Sequence, residues 1–177
     1  MMALCLILSL SLCGVALCEA AESEVPAPWT EVESAEAAAE GAGVGYFMIP
    51  EENTETDIGP LNWYSFEYIN GVAEASGAIG TAEIWVRKGL NEDGEDVSGD
   101  ETEYAVHVTV TPFEETEEGR IDGFPIECYG NADEQWMKMI WVSDNFSYSI
   151  VIRGQGDLYD TFGISTQVLL SLYNEIQ

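Results

Sequence analysis

The sequence predicts an α+β fold: a single curved antiparallel β-sheet of about six or seven strands packed against a C-terminal α-helix. Three observations predict it. Short segments rich in aromatic and β-branched residues recur between Gly, Pro, Asn and Asp. In YAVHVTVT, Tyr104, Val106, Val108 and Val110 alternate with Ala105, His107, Thr109 and Thr111, so one face covers a core and the other meets water. In ISTQVLLSLYNEIQ the period changes: Ile164, Val168, Leu172 and Ile176 recur every four residues.

The elements follow in chain order. Residues 1–18, MMALCLILSLSLCGVALC, carry no charge and read as a signal peptide, with Ala16 and Cys18 small enough for cleavage before Glu19. Lipidation at Cys18 is the alternative, and an uncleaved anchor a third. Secretion into the extracellular space, or attachment to the outer face of the membrane, follows respectively. Residues 19–43 are Ala- and Glu-rich with few large apolar side chains and read as a disordered acidic linker. Ser34 could cap a short helix within it. A single domain is expected over 44–177, with strands at 45–49, 62–69, 81–88, 104–111, 124–129, 136–142 and 146–153. The acid-rich connections before Tyr104 and after Phe113 read as mobile loops. Ser165 is placed to cap the last helix, which is short enough to need packing against the sheet.

Asp144-Asn145 suits a two-residue hairpin turn, because both side chains tolerate a left-handed backbone. That turn pairs Trp141 with Tyr148, Met139 with Ile150 and Met137 with Ile152 on a core face. The opposite face pairs Val142 with Ser147, Ile140 with Ser149, Lys138 with Val151 and Trp136 with Arg153. Trp136, Ile140, Val142, Val151 and Arg153 are therefore the candidate partner surface.

All 33 acids and all five Lys and Arg residues lie beyond residue 18, giving a net charge of −28. Binding nucleic acid by counterion release needs the opposite sign, so no nucleic-acid partner is expected. Cys128 is the one cysteine after residue 18, so the expected fold does not depend on an internal disulfide. His107, the one histidine, has no partner placed beside it by spacing, and carboxylate pairs are uninformative among so many acids. Around Gly94, Asn91, Asp93 and Asp100 fit a calcium loop loosely, but Gly89 leaves its first position without a ligand. No catalytic residue, cofactor or dedicated metal site is expected.

The C-terminal half resembles a known family. Arg120-Ile121-Asp122-Gly123-Phe124-Pro125-Ile126 is similar to its V-x-G-x-x-V segment. Trp141 with Phe146-Ser147-Tyr148-Ser149-Ile150 is similar to its W-x-x-x-G-x-x-Y-x-L hairpin. Val168-Leu169-Leu170-Ser171-Leu172 resembles its closing E-E-L-x-K-I-A-x-S-I helix. That family is an uncharacterised extracytoplasmic domain of Gram-positive bacteria, found on lipoproteins and anti-sigma-factor-like membrane proteins. This chain has Asn145 where a glycine is usual and a far more acidic surface. The resemblance covers about residues 80–177 and brings no catalytic residues.

The expected function is that of a secreted, non-catalytic binding domain at the cell envelope, contacting an envelope protein, a glycan or a hydrophobic ligand. A membrane is a partner only through an N-terminal anchor. A hydrophobic-ligand carrier would line a pocket with Met137, Met139, Trp141 and Tyr148. A carbohydrate-binding module would present Trp63, Tyr64 and Trp85 on one open face.

Overall fold

The computed structural model describes residues 28–56, 58–90, 95–131, 135–155 and 162–176, so the expected leader and the first part of the acidic stretch lie outside the described residues. In chain order the elements are β1 (Thr30–Val32), α1 (Ala35–Ala42), β2 (Glu55–Thr56), β3 (Gly59–Ile69), β4 (Val72–Ile79), β5 (Ala82–Leu90), β6 (Val106–Val110), β7 (Phe113–Thr116), β8 (Gly119–Asp122), β9 (Ile126–Gly130), β10 (Trp136–Ser143), β11 (Phe146–Gly154) and α2 (Thr166–Glu175).

The fold is mostly antiparallel sheet with a C-terminal helix, as the period change implied. Among the described residues the main sheet has nine strands rather than six or seven and is open, in the order β1-β3-β4-β5-β11-β10-β9-β6, with β2 paired to β3. The hairpin β10–β11 has the expected register, Trp141 opposite Tyr148 and Met139 opposite Ile150. Asp144 and Asn145 both hold positive φ, 51° and 68°. That backbone twist matches the twist of the flanking strands.

Both helices share one core. Val168, Leu169, Leu172 and Ile176 of the C-terminal segment join Ile84, Val86, Ile126, Met139, Ile150 and Ile152 from the sheet in one buried cluster. Ser165 occupies the N-cap of α2, but its side chain makes no cap hydrogen bond. Packing therefore holds this short helix. Lys88 points toward the same core, where its ammonium donates to the Tyr46 carbonyl and lies 4.4 Å from the centre of the Phe146 ring. Burial lowers its pKa.

Five expectations need correction. The acidic stretch is folded from Thr30 onward: Ser34 accepts from the Ala37 N–H at 3.2 Å, and Gly43 closes α1 with a left-handed φ of 74°. Ala35, Ala38, Ala39 and Ala42 are buried, so α1 attaches through methyl groups rather than large side chains. Residues 45–49 are not a strand, although Val44 and Phe47 are buried. Strand β4, VAEASGAI, was not anticipated, because Ala, Ser and Gly have low strand preference. Those small residues fit there because Ala73 and Ala75 lie in the same cluster as the α1 alanines. The acidic segment after Val110 forms a second sheet, the hairpin β7–β8.

The fifth correction concerns β10. Against β9, Trp136 pairs with Gly130 but Lys138 pairs with Tyr129, so one residue is bulged between them. A bulge exchanges the faces of the residues beyond it. Trp136 therefore belongs to the core cluster, bonded through its backbone to Ile164 at 2.9 Å in both directions. Met137 lies on the other face, in a hollow with Tyr104 and Arg153.

Candidate functional site

The topology requires something to cross the outer face of the sheet. β5 ends at Leu90, and β6 begins at Val106 on the far edge, beyond β11, β10 and β9. Four strand spacings of about 4.8 Å separate them. Each intervening pairing is antiparallel, so β5 and β6 run the same way and need a crossover. The described part of the acid-rich connection, residues 95–105, lies across that face, where a mobile loop was expected.

Three of the five Lys and Arg side chains hold its described part down. Lys138 Nζ donates to Asp96 Oδ2 and to the Asp100 carbonyl, each at 3.0 Å. Arg153 donates to Thr102 Oγ1 at 2.5 Å and pairs with the Asp100 carboxylate. Arg87 bonds the Val97 carbonyl at 3.1 Å and pairs with Glu74. The loop stiffens itself as well: Ser98 N–H donates to Asp96 Oδ1 at 2.7 Å, and Asp100 N–H to Ser98 Oγ at 3.1 Å. Gly89 leaves room beneath, since a Cβ there would come within 2.6 Å of Val97 Cγ1. Burial on its own would push the Asp96 carboxyl up, but hydrogen bonds from Ser98 and Lys138, with the Lys138 charge, leave it below the ordinary value.

The five residues of the expected partner surface do not form one open face. Trp136 is turned into the core by the bulge, and Val151 is buried at 5% exposure. Ile140 is half-buried, Arg153 is engaged with the loop, and Val142 alone of the five is exposed. The crossing strap covers much of what the sequence left bare.

Two of the hollows beside the strap meet at Arg153. One, of about 260 Å³, is walled by Thr102, Glu103, Tyr104, Asn131, Met137 and Arg153. The other, of about 310 Å³, is walled by Trp85, Arg87, Gly99, Asp100, Val151 and Arg153. Trp85 and Tyr104 supply aromatic surface, and the two arginines and Asp100 supply polar groups. Sequence reasoning named Trp85 and Arg153 separately. It had no signal for the loop that brings Asp100 and Tyr104 to them.

The alternative sites are dispersed. Met139 is fully buried, and Met137 lies on the opposite face from Trp141 and Tyr148, so those four side chains do not line one pocket. Trp63 packs against the core with its indole N–H on the Pro50 carbonyl at 2.9 Å, whereas Trp85 is on the outer face. With Trp63 and Trp85 on opposite faces, the three rings do not form one platform.

At the β6 edge, the His107 ring stacks on Tyr129, centroids 4.4 Å apart, and His107 Nε2 lies 2.5 Å from Glu127 Oε2. The Thr109 hydroxyl donates to Glu127 rather than to the imidazole, so His107 and Thr109 are not paired. Cys128 is buried on the other side of its strand, and burial raises its thiol pKa to about 12. A protonated thiol facing the core is not a nucleophile.

Asn91, Asp93 and Gly94 of the considered calcium loop lie outside the described residues, while Asp96 and Asp100 are matched by Lys138 and Arg153. Among the described residues, no group of three or more His, Cys, Asp or Glu side chains is placed to hold a metal, and no helix is long and apolar enough to cross a membrane. No family model, curated protein or solved structure matches this chain.

Proposed function

We propose that the chain is a secreted, non-catalytic binding domain of the bacterial cell envelope, and that its ligand sits in the paired hollows meeting at Arg153. The carrying observation is the junction itself: aromatic walls from Trp85 and Tyr104 flank cationic and carboxylate groups held rigid by their own pairing. Concave, largely apolar sites with a few fixed polar groups are where ligands bind. The apolar leader and the resemblance to an extracytoplasmic family support the compartment, with an N-terminal lipid anchor at Cys18 as the alternative.

A short neutral glycan is the ligand chemistry that fits best. The Trp85 face can stack on a sugar ring, while Arg87, Arg153 and Asp100 offer donors and acceptors. The net charge of −28 disfavours an anionic ligand. Glycan-array binding by the whole chain, compared with Trp85→Ala and Tyr64→Ala, tests this. Binding weakened at least tenfold by Trp85→Ala and unchanged by Tyr64→Ala supports the site. An array without hits removes the glycan, and binding indifferent to Trp85→Ala removes the site.

A further inference from the structure

A second surface lies at the other end of the chain's course over the sheet. Every residue of the hairpin β7–β8 is exposed. Its base is tied down where Gly123 N–H donates to the Pro112 carbonyl at 2.8 Å and Phe124 N–H donates to the Tyr173 hydroxyl of α2 at 2.9 Å. Those two bonds fix the hairpin beside α2 and leave Phe113, Ile121 and Phe124 exposed at 51%, 60% and 47%.

The exposed side chains border a groove. A hollow of about 180 Å³ is lined by Phe113, Ile121, Leu170 and Tyr173, and one of about 400 Å³ by Phe124, Trp141, Tyr148, Tyr173 and Ile176. Glu114, Tyr173 and Asn174 line both, so the two hollows adjoin along α2. Exposed apolar side chains bordering a groove with a polar rim mark an interaction site.

The rim decides which partner. Glu114 and Asp122 of the hairpin line the smaller hollow, and Glu114 and Asp144 line the larger. Arg120 is the only Lys or Arg between residues 104 and 137. It is already held by Asp122 at 2.5 Å and lies 4.0 Å from the centre of the Phe113 ring. A second copy of this chain would bring another net charge of −28 to the same rim. Like charge opposes that association, whereas an oppositely charged partner is attracted.

We infer that the groove between β7–β8 and α2 docks a basic amphipathic polypeptide segment, its apolar side chains against Ile121, Phe124 and Tyr173 and its Lys or Arg side chains along the carboxylate rim. This surface is separate from the hollows at Arg153 and is independent of the glycan reading.

The test uses the whole chain and a synthetic peptide alternating Leu and Lys, with a Leu and Glu peptide as control, followed by calorimetry and amide chemical shifts. The Lys peptide is expected to shift residues 113–124 and 170–176, to bind at least tenfold more weakly to Ile121→Ser/Phe124→Ser, and to weaken as salt is added. Val142→Ser, an exposed apolar residue elsewhere, should bind normally. Any of three results overturns the inference: equal binding by the double variant, equal loss in Val142→Ser, or binding of the Glu peptide at similar strength. A concentration-dependent dimer abolished by Ile121→Ser would instead assign the groove to a second copy and overturn it too. The variants change exposed positions, and unchanged amide spectra away from the groove confirm that they fold.

Discussion

Lys138→Met tests whether the acidic strap is held by charge. The Lys138 side chain is 8% exposed, with its ammonium 3.0 Å from Asp96 and from the Asp100 carbonyl. Methionine keeps the buried stem and removes only the charge and its donors. Breaking a well-buried ion pair costs about 3–5 kcal/mol, but the Asp96 side chain is 36% exposed and can rehydrate, so that part falls toward the surface value of about 1 kcal/mol. The Asp100 carbonyl loses a charged donor, worth about 1.5–3 kcal/mol. The expected loss of unfolding free energy is about 2–4 kcal/mol, measured by urea denaturation at neutral pH. Hydrogen exchange should show faster exchange at the Ser98 and Asp100 amides, whose acceptors lie within the strap. A loss below about 0.5 kcal/mol, with those amides as protected as in wild type, would refute the reasoning.

Other outcomes follow from the same geometry. The Asp96 carboxyl lies below its ordinary value of 3.8, so its contribution is present above that pH and is lost as pH falls through the lower folded value. In acid titrations followed by denaturation, the stability gap between wild type and Asp96→Asn should close below that pH; a gap that persists or grows contradicts the pairing. Asn145, at φ 68°, should lose about 1–2 kcal/mol on Asn145→Val and gain about 0.5 kcal/mol on Asn145→Gly, read from melting curves. Gly41→Ala would place a Cβ 2.5 Å from the Tyr68 ring. The overlap, about 1–3 kcal/mol, should exceed the roughly 1 kcal/mol of helix propensity gained, so calorimetry should show net destabilisation. Iodoacetamide should leave Cys128 unlabelled in the native chain and label it in denaturant, checked by peptide mass spectrometry.

Where one local rule sufficed, sequence and structure agree. Two residues that accept positive φ fixed a turn, and a turn fixes register, so every β10–β11 pair from Lys138 to Val142 matched its expected partner. The agreement ended at Trp136 and Met137. Their bulge is set by β9 and by the Ile164 backbone, which come from other parts of the chain. Trp136 left the expected contact face for the same reason. Trp136 and Arg153 were placed together by counting along two strands, and that count cannot register a residue inserted against a third.

The amino-acid order alone determined an antiparallel sheet with a C-terminal helix, a central hairpin in known register and a net charge of −28, because periodicity, turn chemistry and net charge are local or additive. Only the tertiary structure decided that an alanine-rich acidic stretch becomes a docked helix, since its small side chains gain burial only where Ala73 and Ala75 receive them. Tertiary structure likewise turned a run of carboxylates into a fixed strap. Their mutual repulsion is overcome where Arg87, Lys138 and Arg153, distant in sequence, converge on one face of the sheet.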